Sequence, residues 1–356
     1  VLDNVDDAAE ARPLLQHGTR GAVLLTTRNL DIAAALNAHA YVVPELSAAS
    51  SRALLVEILG EPRVLSHPEE AAAAEQIGGL LHHLPLAVEI AAQRLKSRAR
   101  MTLAAMAQRL QDEHQRLGLA ISDSAVRASF EVSWDALDEE LQFLFARLAV
   151  FGGRPFTVQA IAAVADWNEY LAEDDLYTLT TLSLVQEVGQ TRFRQHPLLA
   201  DFAAEKLGDN DEANGRMARY YLQFAQENQE VFEALEPEWE NLLAAVQAAH
   251  QEREWQLVLD LTEALGGSWF RYGRYHDANT AYALAETTAG KLDSEEDLAH
   301  TLLNWAEVAI EQSNYDEAWG RLETAVNIYY RRENGTGIAK THYFQGCILF
   351  DQGHYK

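Results

Sequence analysis

Tyr275, Tyr315 and Tyr355 recur forty residues apart, each just after a turn that contains Gly or Asn. A helical period of that length constrains the fold more than any composition does. One helical hairpin cannot bury its apolar face alone, so successive hairpins must stack into an open array. The residues between the tyrosines agree with this. Leu265-Gly266, Trp269, Gly273-Arg274-Tyr275, Ala278, Tyr282 and Ala285 form one copy. Trp305-Ala306, Ala309, Asn314-Tyr315-Asp316-Glu317-Ala318, Leu322 and Ala325 form a second, and Gly346, Leu349 and Gly353-His354-Tyr355 begin a third. A small residue on the first helix lets the second approach closely, and the tyrosine at the turn packs over the joint. These aromatics are therefore expected in a core and not around a cofactor, and Cys347 reads as a small core residue beside them.

The pattern resembles the tetratricopeptide repeat (TPR). The resemblance implies an α-solenoid whose concave groove takes a peptide or protein ligand. Long helices over Ala213–Gln229, Trp239–Ala249 and Trp255–Leu265 lead into it.

The start of the chain follows another pattern. Val1-Leu2-Asp3-Asn4-Val5 and Gly21-Ala22-Val23-Leu24-Leu25-Thr26-Thr27-Arg28 are apolar runs that end in polar residues, as buried parallel strands do where their carboxyl ends reach a ligand crevice. A helix over Asp7–His17 would be the crossover, followed by a helix over Asp31–His39 and a last strand at Ala40–Pro44. An Asp at one strand tip can hold hydrated Mg²⁺ and an Arg at the next can pair with phosphate. The same residues also serve as plain strand exits and helix caps.

From Ser47 to about Gly118 the pattern is a helical bundle, with helices from Ser47 to a stop at Gly60 and Pro62, Glu69–His82, Pro85–Arg98 and Leu103–Leu117. A third block, from about Ser124 to Leu207, reads as helices over Ala125–Leu137, Asp138–Val150, Thr157–Asp166 and Glu173–Leu182. A hairpin follows around Gly189-Gln190. Helices followed by such a wing predict a winged-helix domain.

The order of these parts resembles the STAND signalling ATPases, the NB-ARC and related regulator families. The resemblance makes VLDNV the Walker B strand and Asp3 the Mg²⁺ ligand, and GAVLLTTR the sensor strand with Arg28 on the terminal phosphate. Asn4 stands where many relatives carry a second acid that activates water, so at most slow hydrolysis is implied. Leu84-Pro85-Leu86-Ala87 resembles the GLPLA motif, which places Pro85 against the adenine or ribose, with His83 in place of its Gly. Arg192 to Ala203 resembles the MHD region, in which His196 touches the diphosphate and Pro197 replaces the Asp. ATP or ADP with Mg²⁺ is thus the implied cofactor of the intact protein, with self-association on activation. No catalytic residue is assigned.

No G-x-x-x-x-G-K-[ST] occurs, since Gly290-Lys291 is followed by Leu292 and lacks the earlier Gly. The phosphate-cradling loop would precede Val1. Both ends read as cut, and the chain by itself is expected to be inactive and to bind no nucleotide firmly. The fold class is mainly α: a partial α/β P-loop NTPase sheet (1–46), a helical bundle (47–120), a winged helix (121–208) and a TPR-like α-solenoid (209–356).

A net charge of −26 repels a phosphate backbone, and no helix carries a dense Lys/Arg face, so no nucleic-acid partner is expected from this portion. No run is long enough to span a bilayer, and a single cysteine fits a reducing compartment, which makes cytoplasm the default. The adjacent His82 and His83 cannot face one metal from a helix, and Ser, His and Asp are too scattered for a hydrolytic triad. Asn334-Gly335-Thr336 spells a glycosylation sequon, though a cytoplasmic loop is the expected context. Two other readings remain: a repeat scaffold with a degenerate nucleotide module, and a DNA-binding regulator working through residues 124 to 207.

Overall fold

The computed structural model describes residues 1–2, 5, 7–16, 22–27, 30–117, 121–189, 191–208 and 212–353. The two opening segments pair in parallel: Leu2 N–H donates to the Leu24 carbonyl and Thr26 N–H to the Leu2 carbonyl, both at 2.8 Å. The crossover between them is α1 (Ala8–Gln16), where Asp7 Oδ1 accepts the free Ala9 N–H at 2.8 Å. Next, α2 (Leu30–Ala35) ends before His39 because Asn37 turns left-handed at φ 57°. The strand expected over Ala40–Pro44 does not form, and Tyr41 and Val43 are 80% and 82% exposed. A parallel strand depends on a neighbour along its edge and helices on its faces. Among the described residues neither reaches this stretch.

The bundle comprises α3 (Ala48–Leu59), α4 (Glu61–Leu65), α5 (Pro68–Leu80), α6 (Pro85–Ser97) and α7 (Leu103–Leu117). Ser47 Oγ accepts the Ser50 N–H at 3.1 Å and caps α3. The expected stop at Gly60 and Pro62 is also a start. Gly60 at φ +87° closes α3, while Pro62 sits in the first turn of α4, where its missing N–H costs nothing. Leu55, Ile77, Leu81, Val88, Leu95 and Met106 fill the bundle's core.

The third block runs α8 (Ile121–Trp134), α9 (Glu139–Arg147), a 3-10 turn (Leu148–Phe151), β1 (Phe156–Thr157), α10 (Val158–Ala165), α11 (Glu169–Thr181), β2 (Gln186–Val188), β3 (Arg192–Arg194) and α12 (Pro197–Leu207). The hairpin forms as expected, and β1 joins it to make an antiparallel sheet in the order β1-β3-β2, with Phe156 and Glu187 on either side of Phe193. Helix α11 starts a turn earlier than its apolar pattern indicates. Asn168 Oδ1 accepts the Leu171 N–H at 2.9 Å and caps a polar first turn.

After α13 (Ala213–Asn228) and the short α14 (Phe232–Leu235), a 3-10 turn (Glu236–Glu238) leads into α15 (Trp239–Gln251). Then follow α16 (Trp255–Arg271), α17 (Tyr275–Lys291), α18 (Glu295–Glu311), α19 (Tyr315–Arg331) and α20 (Gly335–Asp351), each of 17 residues. One device closes them all. Arg253, Gly273, Asp293, Ser313, Glu333 and Gly353, at twenty-residue steps, are left-handed with φ from 53° to 76°. The next N–H reaches back five residues: Arg274 to the Trp269 carbonyl at 2.8 Å, Ser294 to Ala289 at 3.0 Å, Asn314 to Ala309 at 2.8 Å. This is the Schellman closure, and it turns the chain back after each helix. Helix α16 passes the expected end at Leu265 because Gly266 serves packing instead of stopping the helix. A Cβ there would lie 2.6 Å from the Tyr282 hydroxyl. Asn334, the residue of the sequon, caps α20 by accepting the Gly337 N–H at 2.9 Å.

The fold is mainly α. One hydrophobic core runs from Ile90 of α6 through Phe145, Phe193, Tyr221 and Trp269 to Val308 of α18. A separate cluster holds α18, α19 and α20 together around Leu302, Leu322 and Ile348. Cys347 is not in it; it is half-buried and lines a surface hollow.

Candidate functional site

Of the four residues singled out for nucleotide contact, Asp3 and Arg28 lie outside the described residues. The parallel pairing of Leu2 with Leu25 does direct both strands the same way, so their carboxyl ends share one edge. Ligands sit at that edge in parallel α/β sheets.

Pro85 is the first residue of α6, after Leu84 in an extended conformation (φ −75°, ψ 120°). The approach to it is fixed by His83, whose Nδ1 meets Ser51 Oγ at 3.0 Å and whose carbonyl accepts the Leu46 N–H at 3.1 Å. His82 and His83 are both left-handed, at φ 47° and 56°, which explains why a Gly would suit position 83. Helix α6 faces two cores, giving Ala87, Val88 and Leu95 to the bundle and Ile90 to the winged helix. Ser183 donates to Glu89 Oε1 at 2.8 Å and ties the two units.

His196 is the N-cap of α12, and its Nδ1 accepts the Leu198 N–H at 3.2 Å. That bond assigns the ring proton to Nε2, leaving Nε2 as a donor for an anion. Burial, then the charge of Arg194, lowers the imidazole's proton affinity below its ordinary value. The turn before β1 lies on this junction: a Cβ on Gly153 (φ +79°) would meet the Gln195 carbonyl and Pro197 Cα at 3.3 Å. Gln195 is buried, and among the described residues neither end of its amide has a partner. Helix α12 packs chiefly on α9 and the 3-10 turn, and shares with Ile90 and Leu86 of α6 the core that runs through the winged helix.

A further polar group, which sequence reasoning misses, joins the winged helix to the repeats. Glu238 is 4% exposed, and Arg192 Nη1 of β3 donates to its Oε1 at 2.6 Å. The Tyr221 hydroxyl and Asn241 Nδ2 both donate to Oε2 at 2.9 Å. The Pro155 carbonyl accepts from Arg192 Nη2 and Asn241 Nδ2, each at 2.8 Å, and Arg154 Nε donates to Asn241 Oδ1 at 2.9 Å. Carboxylate, carbonyl and amide oxygen are thus all matched with donors, which is what makes a buried charge tolerable. The partners span 87 positions from Arg154 to Asn241, and no local periodicity marks them. The one local hint is an acidic residue directly before Trp239, at a helix start.

The helix that a DNA-reading winged helix would place in the major groove is α11. It contains no Lys or Arg and carries Glu169, Glu173, Asp174 and Asp175. Burial and then the neighbouring Asp138, Glu140 and Asp174 raise the pKa of Asp175. Among the described residues no group of three His, Cys, Asp or Glu could hold a metal ion, and no helix is long and apolar enough to cross a membrane.

No family model matches the chain. It is similar to the regulatory protein AfsR of Streptomyces coelicolor, 36% identical over 204 residues, which is 57% of this chain and 20% of that protein. It is also similar to AfsR of Streptomyces griseus, 34% identical over the same length. A Mycobacterium tuberculosis protein described as an HTH-type transcriptional regulator is 34% identical over 226 residues, covering 58% of this chain and 25% of its own length. The chain thus spans about a fifth to a quarter of the curated relatives it matches. Among solved structures it is similar to a Signal Transduction ATPase with Numerous Domains (STAND) protein with a tetratricopeptide repeat sensor from Pyrococcus horikoshii. That likeness has a TM-score of 0.45 and 13% identity, over 99% of this chain and 62% of the other.

Proposed function

We propose that the chain is the switch-and-sensor portion of a regulatory protein, in which a repeat array reports ligand binding to a STAND-type nucleotide module through the winged helix. The observation that carries this reading is the closed polar group at Glu238, which binds the wing strand β3 to the first repeat helices. A free array would have no need of it. AfsR and the mycobacterial relative are regulators by name, which supports the regulatory part of the reading.

In the intact protein ADP or ATP would lie between the sheet, α6 and α12. His196 would offer its Nε2 proton to the diphosphate, Pro85 would flank the base, Arg28 would pair with the terminal phosphate and Asp3 would hold Mg²⁺. The nucleotide supplies two states, with and without the terminal phosphate. This chain's residues would hold the closed one until a ligand on the repeats favours opening and self-association. The acidic α11 supports a packing role for this winged helix, so DNA contact by the regulator would come from another part of it. A cytoplasmic setting and a peptide or protein ligand complete the reading.

Full-length protein, purified without added nucleotide and then denatured, is expected to release close to one ADP per chain. His196→Ala and Arg28→Ala should each lower that content. Protein that carries no nucleotide, with ATP affinity unchanged by Arg28→Ala, would leave only the scaffold reading.

A further inference from the structure

The array carries three hollows lined almost wholly by alternate helices. The largest, of about 710 Å³, is lined only by α16, α18 and α20; a second, of about 400 Å³, lies between α13 and α16, and a third, of about 160 Å³, between α16 and α18. Positions forty residues apart continue from one to the next. Phe270, Ile310 and Phe350 occupy the same place on α16, α18 and α20 and form an apolar ladder, with Phe350 64% exposed. Each is followed by a charged residue, Arg271, Glu311 and Asp351.

Around the ladder the charge is mostly negative. Asp260, Glu263, Asp297, Glu307, Glu311 and Asp351 face the hollows. Among the described residues that line them, Arg271 is the one arginine, there is no lysine, and Glu230 Oε1 already engages its Nη2 at 3.1 Å. His300 Nδ1 sits 3.3 Å from Glu263 Oε2. Burial and then Glu311 push the Glu307 carboxyl above its usual range, with Lys340 opposing. Negative charges this close repel one another, and a cation laid among them would relieve the repulsion. An apolar strip edged with carboxylates is complementary to a segment that alternates Lys or Arg with large apolar side chains.

We propose that this groove binds a cationic peptide segment, with apolar side chains over Phe270, Ile310 and Phe350 and basic ones among Glu263, Glu307, Glu311 and Asp351. The proposal rests on the sensor reading above and names the ligand's chemistry. Such a ligand would associate fast at low salt and be weakened as salt screens the acidic lining.

The test uses three fluorescein-labelled peptides and the 356-residue chain: one alternating Arg or Lys with Phe or Leu, one with Glu replacing each basic residue, and one with Ser replacing each apolar residue. Anisotropy titrations are expected to show binding of the first only, weakening as NaCl is raised. Glu307→Gln and Glu311→Gln should each weaken it about two- to fivefold, and Ile310→Ser should weaken it at all salt concentrations, with circular dichroism confirming that each variant stays helical. Preference for the acidic peptide, or unchanged affinity in the Glu307→Gln/Glu311→Gln chain, overturns the proposal but keeps the array as a sensor. Binding of no peptide overturns the proposal and leaves the sensor reading to a ligand of other chemistry, while nucleotide content tests the switch separately. Sedimentation showing a dimer that dissociates on Phe350→Asp would assign the strip to a second copy of the chain and also overturn it.

Discussion

Glu238→Ala is the perturbation that most directly tests the join between winged helix and repeats. It removes one carboxylate but takes the acceptor from two groups at once, since Arg192 Nη1 and the Tyr221 hydroxyl have no other bonded oxygen among those described. Asn241 Nδ2 keeps the Pro155 carbonyl at 2.8 Å. Breaking a buried ion pair from one side costs about 3–5 kcal/mol, and a buried hydroxyl left unmet costs about 1–3 kcal/mol. Both penalties arise from one desolvated pocket, so they overlap, and about 4 kcal/mol is expected in total. Glu238→Gln keeps the shape and one acceptor and should cost about half as much.

The readout has to be local, because a chain with three hydrophobic clusters has no reason to unfold in one step. Hydrogen exchange followed by mass spectrometry, at the amides of β3 and α15, gives the opening free energy on either side of the join. With Arg192→Met as the second change, the double variant should lose about 2 kcal/mol less than the two single losses combined. A Glu238→Ala loss below about 1 kcal/mol, or a cycle additive within about 0.5 kcal/mol, would refute the idea that this group fastens the domains.

Three other outcomes follow from single features. His196 has a lowered pKa in the fold, so the unfolded chain takes up the proton first. Stability is then full above about pH 6.5 and falls as pH drops from there towards the folded value; His196→Asn, which can still cap α12, should flatten that part of a thermal-melt profile taken against pH. Ser313→Gly and Glu333→Gly relieve left-handed residues at φ 59° and 55°, and each should raise the local opening free energy by about 0.5–1 kcal/mol in hydrogen exchange, whereas Gly273→Ala should lower it by about 1 kcal/mol. Arg94 is buried with Nε and Nη2 unpartnered among the described residues, and burial followed by Arg98 and Arg109 pulls its pKa down to about 10; Arg94→Met should leave the bundle's denaturation midpoint unchanged or raise it, and a fall would mean that the guanidinium has a partner.

Where the sequence is a reliable guide, the reason is local. Ser47, Asp138 and Thr157 cap helices through their own side chains, and the spacing from Tyr275 to Tyr315 follows from a packing rule that acts within forty residues. The hairpin of β2 and β3 is equally local. The strand at Ala40–Pro44 failed because a strand is defined by its neighbours, and a short apolar run says nothing of whether they are present. Cys347 was misplaced for a related reason. A small residue at helical spacing fits a core or a groove equally well, and only the position of α18 decides which. The group at Glu238 was invisible because the turn before β1, the wing strand β3, α13, the 3-10 turn before α15 and α15 itself each contribute one or two members.

The division of the core bears on how a ligand on the groove could be felt elsewhere. From the wing to α17 the apolar packing is continuous, while α18, α19 and α20 are held mainly by a cluster of their own, with Val308 and Trp305 reaching back across the boundary. The link crossing that boundary is the turn at Asp293, whose left-handed conformation (φ 53°) is strained for a residue with a side chain. A segment lying over Phe270, Ile310 and Phe350 touches both sides of the boundary, so its binding energy bears on the angle between them. On the near side the apolar packing is continuous through Trp269 and Tyr221 to Phe193, and Glu238 is paired with Arg192 of β3. If the groove works in this way, the cationic peptide should slow hydrogen exchange around Asp293 as well as in the helices it touches. Protection confined to α16, α18 and α20, with exchange at Asp293 and β3 unchanged, would show that binding stops at the groove and that the array does not act on the winged helix.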